Sequence, residues 1–77
     1  MKIKLHKNDL PGNINFGKSV AIDTEAMGLN HTRDRLCLVQ LSSGNGVCHL
    51  VQIQNNEIKP KNLIKLLKNK KILKIFH

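Results

Sequence analysis

Seventy-seven residues carrying thirteen Lys and Arg against five Asp and Glu, a formal charge of +8, make one small domain at most. The longest wholly apolar run, Leu36 to Val39, is far short of the roughly 20 residues that span a bilayer, and the basic start Met1–Lys7 leads into no apolar stretch of a secretory signal. A cytoplasmic chain is expected; its excess positive charge favours polyanions, either nucleic acid or an acidic membrane surface, and the partner expected is nucleic acid and no membrane.

Lys2 to Leu5 alternates weakly and reads as a short edge strand or an arm. Asn8 to Asn13, with Pro11 and Gly12 at its centre, is a loop. Lys18 to Glu25 follows as a strand, and Gly28, Asn30, His31 and the mixed charges of Arg33 to Arg35 read as a connecting loop. From Arg35 to Leu41 apolar residues stand at both parities, with Leu36, Leu38 and Gln40 on one side and Cys37, Val39 and Leu41 on the other. That pattern predicts a strand buried on both faces, in which Gln40 must find a hydrogen bond. Ser42 to Gly46 is rich in residues that tolerate positive φ and reads as a hairpin turn into Val47–Ile53, completing a three-stranded antiparallel meander. Joined by this turn, Cys37 falls opposite residues near Gln52 and Cys48 lies several positions out of register. A disulfide requires Cα atoms within about 7 Å, so both are expected as buried thiols.

The period changes at Pro60. A proline at the first turn, then Leu63, Ile64, Leu66 and Leu67 with Lys61, Lys65 and Lys68 opposite, predicts an amphipathic helix. Its lysines form either a solvated helix face or a phosphate-binding one. Ile72 to Phe76 is apolar and β-branched and reads as a fourth strand of the meander's sheet, parallel to a neighbour; the alternative is that the helix continues through Leu73.

Asp23-Thr24-Glu25 closes the apolar run Ser19 to Ile22 and holds two of the five acidic residues. Side chains alternate along a strand, so Asp23 and Glu25 share a face that Ile22 and Thr24 do not. Two carboxylates this close repel unless a cation neutralises them, and hard Mg²⁺ or Mn²⁺ ions suit oxygen ligands. The bland alternative is a strand-end pair facing solvent or pairing with Lys. The four histidines, His6, His31, His49 and His77, show no spacing typical of metal ligands, and Ser42-Ser43 has no base placed to activate it.

The order of elements and the segments Val20 to Leu29 and Arg35 to Leu41 together resemble the 3′-to-5′ exonuclease domain of ribonuclease D and its DEDD relatives. Lys71 to His77 is similar to the strand leading into that family's second motif, so the likeness covers residues 18–77 of a chain read as one piece, 1–77, of a single domain. The resemblance implies an α/β ribonuclease H-like fold, truncated. It also implies two metal ions, with Asp23 bridging both and Glu25 binding one, that clamp the attacking and leaving oxygens during hydrolysis of the 3′-terminal phosphodiester of RNA. Thr24, Met27, Gly28, Leu29 and His77 would lie against the terminal nucleotide, Gly28 allowing close backbone approach; Met27 and Leu29 read equally well as core residues. The family's second-motif Asp and its third motif fall beyond His77. The expectation is therefore half a metal site, inactive alone, in the N-terminal piece of an exonuclease; the alternative is a split nuclease complemented by a separate C-terminal polypeptide. A noncatalytic basic module binding nucleic acid through Lys59 to Lys74 is the competing reading.

Overall fold

The structure is a computed structural model that describes residues 1–27, 36–54 and 57–77; for Ala26, Met27 and Leu36 it describes the backbone only. In chain order the elements are β1 (Lys2–Lys7), β2 (Ser19–Met27), β3 (Leu36–Ser42), β4 (Val47–Ile53), α1 (Lys61–Lys68) and β5 (Leu73–Phe76). They form one sheet in the order β1-β4-β3-β2-β5. The middle three strands pair antiparallel, and β5 pairs parallel with β2. This is the meander, helix and parallel strand expected of the opening of a ribonuclease H-like fold. The expected loop at Gly28 to Arg35 lies outside the described residues.

Two ambiguities resolve. Lys2–Lys7 is a strand and not an arm, pairing parallel with β4 and giving the sheet a fifth member. The helix does not continue through Leu73: Asn69 leaves helical backbone, its side chain accepts from the Lys71 N–H at 2.9 Å, and the Leu73 N–H donates to the Lys18 carbonyl at 2.9 Å. The turn between β3 and β4 places Gly44 and Gly46 at φ of +81°, where a side chain would be strained.

The core follows from alternation. Val20 and Ile22 of β2, Val39 and Leu41 of β3 and Val51 of β4 turn to one face, where Leu63 and Leu66 of α1 and the loop residues Leu10 and Phe16 cover them. Full burial of each such side chain contributes about 1.5–3 kcal/mol. Asp9 fixes the helix on this face. Its carboxylate accepts from the Asn62 and Leu63 N–H groups at 2.9 and 3.0 Å, occupying the positive end of α1. Among the described residues no helix is long and apolar enough to cross a membrane.

The opposite face corrects the expectation that β3 is buried on both sides. Gln40 is exposed and meets water, Leu38 is half-buried, and Cys37, on the covered face, is half-buried where full burial was expected; Cys48 is buried. One helix covers one side of a sheet, and among the described residues nothing larger lies on the other. Cys37 pairs with Ile53 and Cys48 with Ser42, so the two thiols are out of register as expected.

Candidate active site

β2 carries the two carboxylates from the core to the surface. Ile22 is 1% exposed, and the next residue, Asp23, is exposed on the opposite face, as is Glu25. Gln40 stands opposite Asp23 and Leu38 opposite Glu25, on that same uncovered face. Two residues of strand separate their Cα atoms by about 7 Å. The two carboxylates therefore share one face of β2, as alternation along the strand predicts.

β5 brings the chain's last residue to the same place. The His77 N–H donates to the Ile22 carbonyl at 3.0 Å, which sets the His77 backbone beside β2 at the level of the carboxylates. His77 is exposed. Thr24 lies opposite Val39 and belongs by register to the other face, although it too is exposed. The backbone of Met27 ends β2, while Gly28 and Leu29 lie outside the described residues. Asp23, Glu25 and the backbone of His77 thus lie at one level of the sheet, and Thr24 belongs by register to the other face.

The donor set fits a hard divalent cation in kind. Two ionisable carboxylates reach solvent from one strand, and Mg²⁺ commonly takes one or two carboxylates while retaining water or phosphate oxygens. It does not fit in number. No group of three or more His, Cys, Asp or Glu side chains stands close enough to hold an ion among the described residues.

One arrangement escaped the sequence reading. His6 and His49, 43 positions apart, meet across β1 and β4: Nε2 of His6 lies 2.9 Å from Nδ1 of His49, and the rings stack at 5.2 Å. Phe16 closes on His49 edge-on at 5.5 Å. Burial, then the neighbouring His6 and Lys4, hold the His49 pKa below its ordinary value of 6.5. No spacing rule marks such a pair, because parallel pairing of β1 with β4 creates it. A cleft of about 300 Å³ between α1 and the loop at Leu10 to Phe16 lies on this covered side, away from the carboxylates.

The family model described as 3′-5′ exonuclease matches residues 6–77. Brucella melitensis NrnC has 52% identity to the chain and superposes with a TM-score of 0.81 over 100% of this chain and 38% of its own. Solved forms of that protein include one with bound Mg²⁺, covered over 39% of its length, and one bound to pGG, covered over 38% with a TM-score of 0.80. A structure described as the apo form of the nuclease is 32% identical, with a TM-score of 0.80, 100% of this chain covered and 38% of that one. The chain therefore spans well under half the length of these structures. No curated protein matches it.

Proposed function

The chain belongs to the 3′-5′ exonuclease family, and from that premise we propose that it supplies the first half of a two-metal site for trimming the 3′ ends of RNA. The observation that carries this reading is the placement of Asp23 and Glu25 side by side on the open face of β2, with the His77 backbone hydrogen-bonded at their level. Magnesium bound to a 52%-identical protein supports the choice of cation, and pGG bound to the same protein supports a nucleotide ligand.

In this reading Asp23 and Glu25 hold the ions by their carboxylate oxygens. The metal, when bound, supplies charge stabilisation at the phosphoryl oxygens and a water nucleophile active at neutral pH. The chain's own contribution is rigidity: Val20 and Ile22, each 1% exposed, lock β2 in the sheet and so fix where the two carboxylates project. Two carboxylates alone leave most of the coordination to water, so the 77-residue chain is inactive by itself.

A second observation favours completion by another polypeptide. Ile3 (62% exposed), Leu5 (54%), Leu73 (64%) and Ile75 (46%) lie by register on the open face with the carboxylates. This apolar surface suits a covering layer such as the part of the relatives' length that the chain does not span. The test is a chimera in which the chain replaces the matching first part of Brucella melitensis NrnC. Mg²⁺-dependent shortening of a 3′-labelled RNA by the chimera, lost on Asp23→Asn, is the expected result. Robust Mg²⁺-dependent trimming by the isolated chain, abolished by Asp23→Ala, would overturn the half-site reading.

A further inference from the structure

Seven lysines lie between Lys59 and Lys74, with no acidic residue among them. Lys61, Lys65 and Lys68 are exposed on α1 at spacings of four and three, which puts them in one stripe about 10 Å long. Lys59 extends the stripe at one end, and Lys70 and Lys71, both exposed, extend it at the other. Leu63 and Leu66 hold the opposite side of the helix in the core, so the lysines point away from the sheet.

Topology sets this stripe relative to the carboxylates. β1, β2, β4 and β5 all run in one direction, and α1 returns from the end of β4 to the start of β5. The helix therefore begins at the sheet end toward which Asp23 and Glu25 lie and runs away from it on the other face. Asp9 already fills the helix N-terminus, which leaves side chains and not the helix dipole to meet an anion.

We propose that Lys59 to Lys71 form a second nucleic-acid surface, separate from the carboxylate site, that holds the sugar–phosphate backbone of a single strand whose 3′ end lies across the sheet edge. The choice of nucleic acid rests on the exonuclease reading. The surface does not suit a lipid bilayer, because a helix lying on a membrane inserts its apolar face and here that face is occupied by the core. Its three helix lysines can neutralise about three phosphates.

The test uses the full chain in EDTA, so that its result is independent of any metal site, with fluorescein-labelled oligo(rA) as probe. Each phosphate contact on a single strand contributes about 0.7 to the slope of log affinity against log salt. Lys61→Ala/Lys65→Ala/Lys68→Ala should reduce that slope by about 2 and weaken binding about a hundredfold near 0.1 M salt. The Arg triple at the same positions should retain affinity. A charge-matched control, Lys2→Ala/Lys4→Ala/Lys7→Ala on β1, should lose no more than about threefold, corresponding to diffuse attraction alone. Amide shifts of the wild-type chain, which require no variant to fold, should move along 59–71 on addition of the oligonucleotide. Equal losses in the two alanine triples, amide shifts confined to β2 and β5, no binding at all, or tighter binding to phosphatidylserine vesicles than to RNA would each overturn the proposal. Loss of Mg²⁺-dependent activity in the chimera with this binding intact would instead count against the carboxylate reading alone.

Discussion

At the scale of single residues, two side chains far from the carboxylates determine how the chain responds to its conditions. His49 is buried, with Lys4 and His6 facing it from β1, Phe16 from the loop and Leu41 opposite it on β3. Its folded-state pKa is lowered by burial first and by the neighbouring His6 and Lys4 second, so between that value and about 6.5 the unfolded chain binds more protons than the folded one. Stability should then hold above the ordinary histidine value and fall as pH drops below it. Thermal melts across pH 8 to about 5 should show this decline, flattened in His49→Phe; an unchanged slope in the variant would assign the effect elsewhere. Asp9 is the other. Asp9→Ala removes both acceptors of the α1 N-terminus and should cost about 1–2 kcal/mol in urea unfolding, with Asp9→Asn losing less.

At the scale of elements, packing rests on strands of unequal burial. Leu41 is fully buried in β3 between Ile22 and His49 as register partners, so Leu41→Ala should cost about 2–5 kcal/mol. Set against the roughly 4–12 kcal/mol expected of a domain of this size, that loss is a large share of the total, readable as a lower urea midpoint by circular dichroism. Strand β4 and the turn before it were legible from sequence, because the glycine-rich segment and the apolar run beyond it both mark a hairpin. The helix was legible from its change of period at Pro60. The pairing of β1 was not, since its partner lies some 45 residues away and its own alternation is weak. The capping role of Asp9 was equally hidden: local rules place a cap beside its helix, and Asp9 lies more than 50 positions before Asn62. The one-sided burial of β3 depends on how many layers cover the sheet, a property that apolar residues at both parities overstated.

At the scale of the whole molecule, the sheet presents two unlike faces. One is closed by α1 and bears the lysine stripe outward; the other is open, apolar at Ile3, Leu5, Leu73 and Ile75, and acidic at Asp23 and Glu25. The carboxylate pair was legible because alternation on a single strand is enough to place it. The expectation of further ligands came only from family resemblance, since no local pattern announces them. The central claim is that Asp23 and Glu25 form a partial site for a divalent ion. It is tested most directly by titrating the ¹⁵N-labelled chain with Mn²⁺ and following paramagnetic broadening of its amides. The account predicts selective broadening of Ile22 to Glu25, of their partners Leu38 to Leu41 and of His77, lost in Asp23→Asn/Glu25→Gln; broadening centred elsewhere, or unchanged in that double variant, would contradict it.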